Sequence, residues 1–62
     1  MTTLLRLPDV LSRTGLSRST LYVAMESGDF PKPVKLTARA NAWPDFEVEA
    51  WIKRRLAQRA GE

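Results

Sequence analysis

Arg18, Ser19, Tyr22, Val23 and Glu26 are the side chains of this sequence best suited to chemistry with a partner, and they lie within one short stretch. At about 100° per residue they gather on one side of a helix, while Leu21, Ala24 and Met25 form a core stripe on the other. A guanidinium, a hydroxyl, an aromatic ring and an aliphatic group, all facing outward, are what phosphates, base edges and a thymine methyl require of a DNA-binding surface. An ordinary solvated helix carries similar residues, so the flanking signals carry weight. Thr14-Gly15-Leu16 reads as a tight inter-helix turn with Gly15 at positive φ. Ser17 is placed to accept from the orphan amides of the helix start, and Gly28 to end the helix in the left-handed conformation. The helix is expected over 17–27, a core of about ten residues and roughly 15 Å, which the major groove admits.

The neighbouring elements must hold that helix. A first helix is expected over 8–14: Pro8 suits the first helical position, Asp9 the positive end of the helix dipole, and Val10 and Leu11 the core. Arg13 faces out, within reach of a phosphate or simply solvated. Leu4 and Leu5 read as an extended lead-in packed beneath this helix. After Gly28, Pro31 and Pro33 exclude a helix. Val34-Lys35-Leu36 and Asn41-Ala42-Trp43 then alternate, predicting a two-stranded wing over 33–43. The tip lacks the Asn-Gly that a tight hairpin prefers, so a longer, mobile turn is expected there. Because a lone hairpin is unstable, Val34, Leu36 and Trp43 are expected to lean on the helices. Lys35 would meet a phosphate and Arg39 enter or flank the minor groove; solvation is the alternative for both.

A last helix is expected over 45–59, capped by Asp45, with Val48, Trp51, Ile52 and Leu56 as its core stripe. Trp43 and Trp51 read as core residues rather than stacking platforms. Lys53, Arg54, Arg55 and Arg59 make a basic end, free to meet phosphate or stay solvated. Phe46 lies off the stripe, where it packs sideways onto the wing or contacts another protein.

Composition narrows the function. Sixty-two residues make one domain, too small to enclose a pocket of ordinary ligand size. With no cysteine and no histidine, the chain has no disulfide, no Cys–His or Ser–His pair and no ordinary zinc site. Asp9, Glu26, Asp45 and Glu47 are scattered, no two at a helical spacing that would pair them in an apolar pocket. A binding module is expected, not an enzyme, with no cofactor, no metal and no small-molecule ligand. Ten Lys and Arg against seven Asp and Glu give +3 and an isoelectric point near 10.0, which favours an anionic partner. Nothing resembles a signal peptide or a membrane span, so a soluble, cytoplasmic protein with no membrane partner is expected.

Three motifs occur together in order: Leu-x-x-Val-x-x-x-Thr-Gly-Leu-Ser-Arg-Ser-Thr-Leu-Tyr, ending at Tyr22; Gly-Asp-Phe-Pro-Lys-Pro-Val-Lys-Leu, ending at Leu36; then Trp43 followed by Glu-Val-Glu-Ala-Trp-Ile, ending at Ile52. In these the chain resembles the AlpA-type small prophage regulators, relatives of phage excisionases with a MerR-like winged helix-turn-helix, from about Leu4 to Leu56. The resemblance implies a mainly α fold with a small β-hairpin: three helices and a two-stranded wing. It also implies a regulator of prophage or mobile-element genes such as an integrase gene, or an excisionase that bends attachment-site DNA. Ser17, Arg18, Ser19, Thr20 and Tyr22 then occupy the start of the recognition helix, and Lys35 and Arg39 the wing.

Val23 and Glu26 stand where members commonly carry basic residues, and Thr37-Ala38 where a glycine pair is usual. Val23 would instead offer a contact to a thymine methyl, and Glu26 an acceptor for cytosine N4. Together these expectations describe a double-stranded-DNA-binding domain read by Ser17, Arg18, Ser19, Thr20, Tyr22, Val23, Lys35 and Arg39. It would work as a dimer, in tandem copies or with an integrase. A protein-interaction module without DNA binding is the remaining alternative.

Overall fold

The structure, a computed structural model, describes residues 1–60. Its elements are β1 (Leu4–Leu5), α1 (Leu7–Thr14), α2 (Arg18–Glu26), β2 (Val34–Thr37), β3 (Ala40–Pro44) and α3 (Asp45–Ala60). The expected winged helix-turn-helix of three helices and a hairpin is present.

Local chemistry explains the helix-turn-helix. The backbone of Arg6 starts α1 without a side-chain cap, with Pro8 in the opening positions and Asp9 in the first turn. Gly15 ends the helix at φ 75°, its N–H donating to the Leu11 carbonyl at 2.8 Å. Thr14 stitches the turn: its hydroxyl donates to the Val10 carbonyl at 2.8 Å and accepts the Leu16 N–H at 3.3 Å. Ser17 then caps α2 by accepting the Thr20 N–H at 3.2 Å. At the other end Gly28 takes φ 84°. The amides of Asp29 and Phe30 both donate to the Ala24 carbonyl, at 2.9 and 3.1 Å. That reversal drops Phe30 into the core, edge-on to Trp51 at 5.2 Å between ring centroids.

The hairpin is joined by a third strand. β1 pairs antiparallel with the free edge of β3, Leu4 opposite Pro44 and Leu5 opposite Trp43, giving the order β1-β3-β2. Leu4 and Leu5, expected as an extended lead-in packed beneath α1, are therefore a strand of the sheet. The reason lies in β3, whose Ala42, Trp43 and Pro44 are buried. Its backbone groups need partners on both edges, because an unpaired buried amide or carbonyl is costly. The ladder runs on into the Asp45 N–H, which donates to the Thr3 carbonyl at 2.8 Å as α3 begins.

The wing tip is short: only Ala38 and Arg39 separate the strands. No residue there has positive φ, so neither primed hairpin turn is available. An irregularity between Lys35 and Thr37 absorbs the mismatch, and the Thr37 hydroxyl accepts the Arg39 N–H at 3.2 Å.

The core comprises Leu5, Val10, Leu21, Met25, Phe30, Trp43, Val48 and Trp51, with Leu7, Leu11, Leu16, Ala24 and Ile52 packed around it. Two expectations about it need correcting. Val34 and Leu36 are nearly half exposed, because β2 is an edge strand and the helices cover β3 instead. Leu56 is 53% exposed, because α3, sixteen residues and ~24 Å long at 1.5 Å per residue, outruns the body it packs on.

Candidate nucleic-acid interface

α2 is held from behind and open in front. Leu21 and Met25 are buried and Ala24 partly so, while Arg18, Ser19, Tyr22, Val23 and Glu26 are exposed, Val23 at 65%. The 100° arithmetic thus sorted the two faces as observed. Ser17 and Thr20 form one unit at the helix start: the Ser17 hydroxyl accepts the Thr20 N–H and donates to the Thr20 hydroxyl oxygen at 2.8 Å. This leaves the Thr20 proton free to donate to an outside acceptor.

The charges of α2 run against its own dipole. Its first turn holds no acid and begins with Arg18, and its last turn holds no base and ends with Glu26. Each reversal opposes an interaction worth about 0.3–1 kcal/mol. At the N-terminal end the exposed amides and a guanidinium add their positive potentials, a disposition that attracts anions. This signal was already present in the order of the residues.

On the wing, Lys35 pairs across the strands with Asn41, so the two side chains share a face of the hairpin. Arg39 stands at the tip, exposed. Tyr22 connects α2 to the wing through two shallow clefts. It shares one with Met25, Glu26, Lys32 and Pro33, and the other with Arg6, Arg39 and Asn41. Of the expected site residues, the structure therefore brings Tyr22 and Arg39 to one cleft and sets Lys35 beside it. Ser17 and Thr20 pair at the start of α2. Arg18, Ser19 and Val23 lie on its open face. Arg6, Lys32 and Asn41 are not among the expected site residues, because only the folded chain brings them to Tyr22.

The basic end of α3 is partly engaged within the molecule. Arg54 donates to the Asp29 carbonyl at 3.0 Å. Arg55 is ion-paired with the Asp29 carboxylate and lies over the Trp51 ring at 5.1 Å from its centroid. These two arginines tie the segment after α2 to α3. Lys53 and Arg59 stay exposed, as does Phe46 at 59%.

Two helices joined by a glycine turn, followed by a β-hairpin that shares a cleft with the second of them, define a winged helix-turn-helix protein. The chain belongs to the AlpA family: residues 3–56 match the family model described as the prophage CP4-57 regulatory protein (AlpA). It is 46% identical over 55 residues to an uncharacterized protein, ORF88, of Enterobacteria phage P4, covering 89% of this chain and 62% of that one. It is 31% identical over 58 residues to the DNA-binding transcriptional activator AlpA of Escherichia coli K12, covering 84% of this chain and 83% of the relative. The resemblance read from Leu4 to Leu56 is thus borne out, and the protein is of a prophage regulatory kind. Among the described residues no helix is long and apolar enough to cross a membrane.

Proposed function

We propose that this protein binds double-stranded DNA at preferred sequences, with α2 in the major groove and the β2–β3 wing against the neighbouring minor groove. In doing so it regulates genes of a prophage or mobile element, an integrase gene among them. The observation that carries this reading is the placement of Tyr22 and Arg39 on one cleft, which joins the open face of α2 to the wing tip. The name of the E. coli relative points the same way. Thr20, with Ser17 behind it, and Lys35 contact phosphate and set register. Arg18, Ser19, Tyr22 and Val23 read base edges, and Arg39 takes the minor groove. The role is regulatory and needs no catalytic step.

A single module of this kind buries only about 600–1,000 Å² of protein surface on DNA. Useful specificity therefore comes from a second copy or from a partner such as an integrase. The test is a gel-shift titration on DNA flanking the protein's own gene, across a salt series and with bend-sensitive probes. The expected result is salt-sensitive binding that prefers one site, with Arg18→Ala losing about 1–3 kcal/mol there if Arg18 pairs with a guanine. A large mobility anomaly assigns an excisionase-like role, and straight DNA a plain activator or repressor. Equal binding to random DNA overturns the reading and leaves a protein-interaction module.

A further inference from the structure

We infer that Arg6 and Asn41, lying between Tyr22 of the groove-reading face and Arg39 at the wing tip, form a seat for one backbone phosphate of the bound duplex, the one that lies between α2 and the wing. This inference rests on the DNA-binding reading above and adds to it a contact made by neither the exposed face of α2 nor the wing tip alone.

The argument begins with the shape of B-DNA. A major groove and the adjoining minor groove on one side of the duplex are separated by a single sugar-phosphate strand. A body that puts one element into each groove must straddle that strand. The surface between α2 and the wing is the cleft walled by Arg6, Tyr22, Arg39 and Asn41. Those walls offer two guanidinium groups, a phenol and a carboxamide, all hydrogen-bond donors. Among the described residues no carboxylate lines this cleft. Its neighbours differ: Glu26 faces Lys32 in one, and Asp29 and Glu47 accompany Arg54 in the other. This cleft alone of the three therefore presents an uncompensated positive wall, the chemistry that selects a phosphodiester.

The donors are also unengaged. Among the described residues the side chains of Arg6, Tyr22, Arg39 and Asn41 make no hydrogen bond or ion pair within the molecule, in contrast to Arg54 and Arg55, both held by Asp29. The floor that carries them is rigid. Asn41 lies two residues before Trp43 and so on the same strand face. Trp43 is 2% exposed, and its indole N–H donates to the Pro31 carbonyl at 3.0 Å. Arg6 leaves β1 directly after Leu5, which is registered against Trp43. Arg6 and Asn41 are thus held by the same three-stranded sheet, while Tyr22 approaches from α2. Lys35, opposite Asn41, adds positive charge beside the seat.

The test uses the full chain and a duplex carrying its preferred site, in which each phosphate in turn is replaced by a neutral methylphosphonate. The expected result is one position, between the two groove contacts, where neutralisation weakens the wild-type protein roughly tenfold. Arg6→Ala should lose a similar factor on unmodified DNA, but nothing further when that phosphate is already neutral. Its salt slope should fall by about one unit on specific and random DNA alike. Asn41→Ala should show the same non-additivity with a smaller loss. Arg6 makes no side-chain cap for α1, and both residues are exposed, so the variants should keep the wild-type circular dichroism and thermal midpoint. Wild-type affinity in both variants, or losses that add at every position, overturns the seat. If Arg18→Ala still loses site preference in that case, the DNA-binding reading stands without it. Failure of the wild type to bind any unmodified duplex removes both.

Discussion

Glu26 is the residue on α2 that most opposes an anionic partner. It is exposed, sits at the negative end of the helix dipole and lines a cleft with Lys32 and Tyr22. Reversing its charge should therefore act twice. Glu26→Lys adds a cation near the groove and removes an unfavourable charge–dipole contact. Affinity for random DNA should rise and its salt dependence steepen, read as the slope of log K against log salt; an unchanged slope would mean that this face of α2 points away from DNA. The sorting of α2 into two faces was legible in the sequence because helical geometry is local arithmetic. Arg6 and Asn41 were not legible. They lie far from Tyr22 along the chain, and no spacing announces a neighbourhood that the sheet creates.

At the scale of elements, the turn and caps could be read ahead because they depend on single residues with special conformations. Among the described residues Gly15 and Gly28 are the two positions with positive φ, and a Cβ built at either meets nothing within 4 Å. Substitution there is costly for the backbone alone. Gly28→Ala should destabilise the fold by about 1 kcal/mol, seen as a lower urea midpoint at unchanged m-value, with Gly28→Asn costing less because Asn tolerates the left-handed region. A loss of several kcal/mol would show that the space beside Gly28 is not as open as drawn. The extended conformation of Leu4 and Leu5 was legible, but their pairing was not, because two leucines carry no alternation and the partner edge on β3 lies far along the chain. Phe30, flanked by Asp29 and Pro31, has the sequence setting of a loop residue and the burial of a core one. Val34, Leu36 and Leu56 misled in the opposite sense. Alternation and helical period say which residues share a face, but not whether anything covers it.

For the molecule as a whole, sixty-two residues leave a core able to supply only about 3–5 kcal/mol of net stability. Small devices therefore carry weight. The ties from Arg54 and Arg55 to Asp29 are surface contacts, and such a pair contributes about 0–1 kcal/mol. Their main effect is geometric, since they fasten the segment leaving α2 to the long α3. The sheet does the same for the other side, setting the wing against α1 through β1 and β3. α2 is thus braced at its start by the Ser17 cap and at its end by the Asp29 ties. Its open face, with Arg18, Ser19, Tyr22 and Val23, stays exposed to solvent.

Trp43 and Trp51 stand behind opposite ends of this assembly. Trp43 floors the cleft between α2 and the wing, and its indole is anchored to Pro31. Trp51 lies beneath Arg55 and against Phe30, its buried indole nitrogen without a hydrogen-bond partner. The molecule consequently contains two native optical probes in one core, each with its own neighbours. On the proposed reading, emission from Trp43 should change when DNA occupies the cleft, and emission from Trp51 should change if the contacts of Asp29 with α3 are broken; Trp43→Phe and Trp51→Phe variants separate the two signals.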